Sequence, residues 1–201
     1  MTNKDVTKIL LRCKERGDLL NPVRGLYKIP DSDMGLDEIF NKYLEATYIY
    51  KSPRRYYDYK ESRDRIGYYT GVSLIQDFNS NLSEEYYNKQ LSSIEICSNI
   101  CPEKRTPTRH KYGDFTVSIC KPKLIIDNTN YPFLEFLDLI SLLNLKDVKL
   151  HIRDLRIHAR FFQKKTNLKD RDFLLSLKKY SNSYPVNTQI KLIHIFPELD
   201  R

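Results

Sequence analysis

The chain of 201 residues carries a net charge of +8 at pH 7, from 34 Lys and Arg against 26 Asp and Glu. Hydrophobic residues make up 40% of it, including 15 Tyr and 9 Phe, which excludes a disordered protein and allows one large domain or two small ones. No apolar run approaches the roughly 20 residues of a membrane span, and the N-terminus lacks the apolar core of a signal peptide. We therefore expect a cytoplasmic protein with reduced cysteines and no membrane partner. Its modest basic excess is compatible with binding to nucleic acid.

Residues 1–30 predict an amphipathic helix followed by a two-stranded hairpin. Apolar residues recur at the spacing of one helix face: Val6, Ile9, Leu10 and Cys13. Basic residues step by four on roughly the opposite face: Lys4, Lys8 and Arg12. A basic helix with a hairpin directly after it is typical of the end of a winged helix-turn-helix, in which the helix enters the major groove of DNA and the hairpin touches the backbone. The alternative is an ordinary amphipathic helix whose lysines are merely solvated.

Six basic residues of this segment form the candidate nucleic-acid-binding set: Lys4, Lys8, Arg12, Arg16, Arg24 and Lys28. We expect Lys4, Lys8 and Arg12 to face the groove, whereas Arg24 and Lys28 on the hairpin would meet phosphates. Each phosphate contact would add about one unit to the salt dependence of binding, because it releases counterions from the duplex.

Residues 31–35 are predicted to form a linker. After it, stretches in which apolar residues have the spacing of a helix face alternate with stretches in which they have the spacing of a strand face. The predicted helices cover residues 36–48, 64–78, 131–144 and a basic stretch at 146–180. The predicted strands cover residues 93–98, 114–120, 123–127 and 190–196, and residues 102–113 are expected to form an exposed basic hairpin loop. This alternation predicts a mixed α/β (α+β) fold.

The densest mixture of basic and aromatic residues lies between Tyr48 and Arg65. Its candidate basic-aromatic surface consists of Arg54, Arg55, Tyr56, Tyr57, Arg63 and Arg65. Tyrosines can stack bases while guanidinium groups hold phosphates, as at sites for single strands and RNA. The alternative is a strand pair with tyrosines packed across it. A second basic cluster, at Arg153, Arg156 and Arg160, is expected to be a solvated helix face.

The sequence predicts neither a metal site nor a catalytic site. Zinc ligands usually come in closely spaced pairs, which the candidates lack: Cys97, Cys101, His110 and Cys120. Asp127 with the run Asp147-Val148-Lys149 mimics a nuclease pattern, but a predicted helix separates them, and Asp58-Tyr59-Lys60 matches equally well. The sequence also lacks a Gly-rich phosphate loop and a nucleophile elbow. We therefore expect that the protein is not an enzyme and binds no cofactor. A metal-dependent nuclease is the weakest of the alternative functions.

Four sequence motifs, in order over residues 5–145, resemble the AbiEi-like antitoxins of bacterial type IV toxin–antitoxin and abortive-infection systems. The motifs are Arg16-Gly17-Asp18-Leu19 with Arg24-Gly25-Leu26-Tyr27, the run Gly67-Tyr68-Tyr69-Thr70-Gly71-Val72-Ser73-Leu74, the run Ile94-Glu95-Ile96-Cys97-Ser98-Asn99, and the run Phe133-Leu134-Glu135-Phe136-Leu137-Asp138-Leu139-Ile140. They look like the family's wing, its G-Y-x-S-G-x-S-A-L helix, the strand after that helix and a late helix.

This resemblance implies an N-terminal winged helix in residues 1–30 and an α/β antitoxin domain in residues 36–201. A winged helix has about three helices, whereas one precedes the hairpin here, so the N-terminal unit is expected to be partial. The family implies a transcriptional autorepressor that binds operator DNA and opposes a nucleotidyltransferase-type toxin without a stable complex between the two proteins. An RNA- or nucleotide-binding module without DNA-binding activity is the alternative.

Overall fold

The protein has the expected mixed α/β fold. The computed structural model describes residues 3–23, 26–30, 35–51, 64–79, 93–101, 108–112 and 115–200. Within these ranges, no helix combines the length and the apolar character that crossing a membrane requires.

The N-terminal segment is a helix followed by a hairpin, which confirms that part of the prediction. Helix α1 (Asn3–Glu15) precedes strands β1 (Leu20–Val23) and β2 (Leu26–Lys28), which pair antiparallel. The apolar stripe of α1 is not buried, since Val6 is 38% exposed and Ile9 is 46% exposed. The described residues therefore cover this face of α1 only in part, with Leu10 and Cys13 half-buried.

The body of the protein is built on a four-stranded sheet. Its strands are β3 (Gly67–Thr70), β4 (Ser93–Ser98), β5 (Thr108–Tyr112) and β6 (Phe115–Cys120). Their order across the sheet is β3-β4-β6-β5, with β4 and β6 parallel and the other two neighbouring pairs antiparallel. The strands that alternation predicts at 93–98 and 114–120 are thus confirmed as β4 and β6.

Helices cover both faces of this sheet. Those described are α2 (Leu36–Leu44), α3 (Val72–Phe78), α4 (Tyr131–Leu142), α5 (Leu145–Leu150), α6 (Ile152–Thr166), α7 (Asp170–Ser181) and α8 (Val186–Ile195), with a π-helical turn (Glu45–Ile49) after α2 and a 3-10 turn (Pro197–Asp200) after α8. Because strand side chains alternate, Ile96 on β4 packs against α2 and the π-helical turn, while Cys97 belongs to the core on the opposite face.

Helix α4 lies at the centre of the body, which confirms the helix predicted at 131–144. Six of its apolar side chains are at most 2% exposed: Phe133, Leu134, Phe136, Leu137, Leu139 and Ile140. A helix that is apolar on nearly all sides must be enclosed by other elements. Strand β3 and helices α6, α7 and α8 enclose it here.

The helix predicted at 64–78 is wrong in its first half. Residues 67–70 form strand β3, and the chain then turns at Gly71, whose φ of 69° lies in the region that favours glycine, before α3 begins. Tyr68, Tyr69 and Thr70 have the aromatic and β-branched side chains that are common in strands. The four-residue spacing of Gly67 and Gly71 therefore marks a strand and its turn.

Three further predictions are corrected. Residues 190–195 belong to helix α8 and not to a strand, because Thr188, Leu192 and Ile195 are buried on one helical face. Residues 123–127 form a loop whose backbone is held by side chains, with Ile126 N–H donating to Asn99 Oδ1 over 2.9 Å. In the predicted basic loop, residues 108–112 form strand β5, while 102–107 lie outside the described residues.

Gly67 offers a test of how closely the sheet packs against the π-helical turn. A Cβ atom at Gly67 would collide with the backbone carbonyl oxygen of Tyr48 and come within 2.7 Å of that of Cys97. We expect Gly67→Ser to lower the free energy of unfolding in urea by about 1–3 kcal/mol, as overpacking of a core does. Gly35→Ser is the matched control, because Gly35 has no atom within 4 Å of its Cβ position. Equal stability of the two variants would contradict this packing.

Candidate functional site

Three of the four sequence motifs meet at one carboxylate on α4. Tyr68 Oη and Thr70 Oγ1 on β3 donate hydrogen bonds to Asp138 Oδ2 over 2.9 and 3.1 Å. The Cys97 thiol on β4 donates to the same oxygen over 3.5 Å. The hydroxyl of Tyr184, which precedes α8, donates to Asp138 Oδ1 over 2.8 Å. We call these five residues the Asp138 cluster.

The electrostatics of the Asp138 cluster keep its donors protonated. Burial raises the pKa of Asp138, although the hydrogen bonds from its four partners lower it in part. Burial, reinforced by the Asp138 charge, raises the pKa of the Tyr68, Cys97 and Tyr184 side chains. Three donors share Oδ2 and one lies on Oδ1, so Asp138 joins the sheet to α4 and to the segment before α8.

A second acidic residue on α4, Glu135, holds two cations. Arg65 Nη2 lies 3.3 Å from Glu135 Oε1, and Lys165 Nζ lies 3.1 Å from Glu135 Oε2. The Arg65 guanidinium also lies 3.9 Å from the centre of the Tyr131 ring, at the distance of a cation–π contact. Burial raises the pKa of Glu135, while Lys165 and Arg65 lower it. This ion-pair cluster joins α4 to α6 and to the residues before β3.

Arg65 was expected on an open basic-aromatic surface, and the structure places it differently. It is half-buried and its guanidinium is engaged by Glu135 and by the Tyr131 ring. The other members of that candidate surface lie outside the described residues: Arg54, Arg55, Tyr56, Tyr57 and Arg63. In the second basic cluster, Arg153, Arg156 and Arg160 are all exposed as expected, and Arg156 Nε also donates to Ile195 O over 2.7 Å.

The candidate nucleic-acid-binding set lies in α1 and the hairpin, where the structure describes four of its six members. Lys8 and Arg12 are exposed one turn apart on α1, and Lys28 on β2 is half-buried. Arg16 is exposed but forms an ion pair with Asp18 over 2.7 Å. The side chain of Lys4 and the whole of Arg24 lie outside what the structure describes. Lys8 and Arg12 are therefore the pair best placed to reach a ligand.

The cysteines and the nuclease-like carboxylates have local roles. Cys97 belongs to the Asp138 cluster, the Cys101 thiol donates to Ile119 O over 3.3 Å, and burial raises the pKa of Cys120 to about 11. Asp127 accepts from Thr129 and Asn130, while Asp147 lies in the first turn of α5 and pairs with Asn144. Over the described ranges, no group of three or more His, Cys, Asp and Glu is arranged to hold a metal ion.

Sequence reasoning identified the helix that carries both clusters but not its two acidic residues. Glu135 and Asp138 stand three residues apart within an otherwise apolar run, so both lie inside the body once the helix is enclosed. A charged residue in an otherwise apolar helix needs buried partners. The two acidic residues within the apolar run were therefore the sequence signal for these clusters.

The Asp138 cluster can be tested by two substitutions of different severity. Asp138→Ala would leave four donors without their acceptor, so we expect it to lower the free energy of unfolding by about 3 kcal/mol or more. Asp138→Asn keeps one acceptor oxygen, and at pH 7 it should cost only about 1 kcal/mol. Urea unfolding measures both, with the exposed Glu198→Ala as a control that should change stability by less than about 0.5 kcal/mol.

The pH dependence of stability can contradict this description of Asp138. Because folding raises the pKa of Asp138, its stabilising contribution is complete below the unfolded value of about 3.9 and is lost as pH rises through the folded value. The stability advantage of the native protein over Asp138→Asn should therefore shrink between pH 4 and pH 7. An advantage that grows over this range would show that Asp138 is not desolvated as the geometry requires.

No family model matches the chain, and no curated protein and no solved structure is significantly similar to it. Membership of the AbiEi-like antitoxins therefore stays a prediction that depends on the four sequence motifs.

Proposed function

We propose that this protein is an antitoxin and transcriptional autorepressor of the AbiEi-like kind. In this proposal, α1 and the β1–β2 hairpin bind operator DNA, and residues 36–201 oppose a nucleotidyltransferase-type toxin. The observation that carries the proposal is the exposed basic pair Lys8 and Arg12 on α1, a helix that a hairpin follows directly.

The shape of the N-terminal segment supports contact with duplex DNA. Helix α1 has 13 residues, and its length of about 20 Å is sufficient to lie in a major groove. Residues one turn apart project side by side, so Lys8 and Arg12 can reach the same stretch of DNA. The hairpin that follows would contact the neighbouring backbone.

The arrangement of the body supports the antitoxin part of the proposal. The motif at residues 67–74 supplies Tyr68 and Thr70 to the Asp138 cluster, the motif at 94–99 supplies Cys97, and the motif at 133–140 supplies Asp138 itself. The resemblance requires these motifs to belong to one domain, and their convergence on one carboxylate agrees with that requirement.

DNA binding through α1 predicts a specific loss in the variant Lys8→Ala with Arg12→Ala. A base contact by such a side chain is worth about 1–3 kcal/mol, so we expect the double variant to bind about tenfold more weakly or worse. The measurement is fluorescence anisotropy with the labelled duplex upstream of the protein's own coding sequence, at several salt concentrations.

The matched control is Arg160→Ala with Lys164→Ala, an exposed basic pair with the same spacing on α6. It should leave duplex affinity within about twofold of the native value, because surface substitutions elsewhere act weakly. Equal affinity of the two double variants would contradict the role of α1. A structured RNA that competes better than the duplex would instead favour the RNA-binding alternative.

If DNA binding and protection from the toxin reside in separate parts of the chain, a truncation should remove one activity and keep the other. Deleting residues 1–30 should abolish promoter repression but leave rescue from the toxin, since autonomous units divide at exposed linkers. The measurement is the growth of cells that express the cognate nucleotidyltransferase-type toxin together with each form of the protein. Asp138→Ala in the full chain is the control that should lose rescue. Failure of a folded truncated protein to rescue growth would refute the division.

A further inference from the structure

A groove beside helix α6 has no role in the function proposed above. It lies between the end of α3 and one face of α6 and has a volume of about 540 Å³. That volume falls within the roughly 300–1,000 Å³ of common ligand pockets. The groove residues used below are Asp77, Phe78, Asp154, Ile157, His158 and Phe161.

The wall of the groove is aromatic and apolar. The Phe78 ring meets the His158 ring edge-on at 5.4 Å between centres, and the Phe161 ring stacks on His158 at 6.1 Å. Ile157 and Phe161, one turn apart on α6, are 59% and 56% exposed. Large apolar side chains that are exposed together mark a surface that another molecule can cover.

The charge of the groove is opposite to that of the chain. Asp77 and Asp154 are exposed at the groove, whereas the whole chain has a net charge of +8. Asp154 contacts His151 over 3.3 Å, while Asp77 has no ion-pair partner among the described residues. Burial lowers the pKa of His158, so its ring adds no positive charge to the groove at pH 7.

The same aromatic cluster already accepts a cation from within the chain. Lys165 Nζ lies 4.7 Å from the centre of the Phe161 ring and 4.8 Å from that of Phe162. The ammonium group also pairs with Glu135 Oε2 over 3.1 Å. The rings beside the groove are therefore oriented for cation–π contacts, and the groove adds two carboxylates to them.

We propose that this groove is a docking site for an arginine side chain in a basic segment of a partner protein. A planar guanidinium can stack on Phe78 or Phe161 while it pairs with the Asp77 carboxylate, which an ammonium group cannot do equally well. Apolar residues beside that arginine would cover Ile157 and Phe161, so the surface fits a peptide segment better than free arginine. This proposal is independent of DNA binding and of rescue from a toxin.

The test uses the full chain and a fluorescein-labelled peptide with the sequence Leu-Arg-Leu-Arg-Leu. We expect the peptide to bind, and Asp77→Asn with Asp154→Asn to weaken it about tenfold, because charge-assisted hydrogen bonds to the carboxylates are lost. A peptide with citrulline in place of arginine should be weakened to the same extent. The matched control, Asp172→Asn with Glu198→Gln, removes two exposed carboxylates outside the groove and should leave binding unchanged.

Three results would overturn the proposal. The first is the absence of peptide binding to the native chain. The second is equal affinity of the groove variant and the control variant, which would place the peptide elsewhere. The third is competition by arginine amide at the same concentration as the peptide, which would make the groove a site for a small cation. Since all four substitutions are at exposed positions, circular dichroism should show that both variants are folded.

Discussion

The body of this protein depends on one carboxylate in its most buried helix. Asp138 accepts hydrogen bonds from Tyr68, 70 residues earlier in the chain, and from Tyr184, 46 residues later. A buried carboxylate is costly unless its hydrogen-bonding capacity is filled, and a buried donor is costly without its acceptor. The cluster is therefore satisfied only when the sheet, α4 and the segment before α8 are all in place. This reciprocal requirement makes the body one cooperative unit.

The N-terminal segment is packed less closely than the body. The apolar stripe of α1 stays partly exposed, and the exposed basic pair Lys8 and Arg12 lies on the same helix. Among the described residues, the hairpin meets the body where β2 contacts α2. The contrast between a buried, hydrogen-bonded body and an exposed basic helix is the physical basis for assigning them to different tasks.

Local patterns in the sequence predicted the elements whose period is clear. Alternation identified β4 and β6, and the spacing of apolar residues identified α1 and α4. The same reasoning failed at residues 67–70, where two glycines four apart fit a helix as well as a strand and its turn. The deciding constraint is distant in the chain, since Gly67 lies against the backbone of Tyr48 and Cys97.

The candidate functional residues, too, were predicted where a local pattern identifies them and missed where distant contacts decide. The exposure of Lys8 and Arg12 follows from the helical period, so the sequence alone identified this pair. The role of Asp138 depends on donors from three separate segments, which no local period reveals. Arg65 was expected among exposed arginines and tyrosines, but a buried acid on α4 engages it instead. Charge density in a sequence therefore does not distinguish a binding surface from an internal ion pair.

Hydrogen exchange with and without duplex DNA would show which part of the chain binds it. On the proposed function, α1 and the hairpin bind DNA and the body takes no part. Adding the duplex upstream of the protein's own coding sequence should slow amide exchange in α1 and β2 and leave β4 and α4 unchanged. Slower exchange confined to the sheet or to α6, with α1 unaffected, would contradict the account.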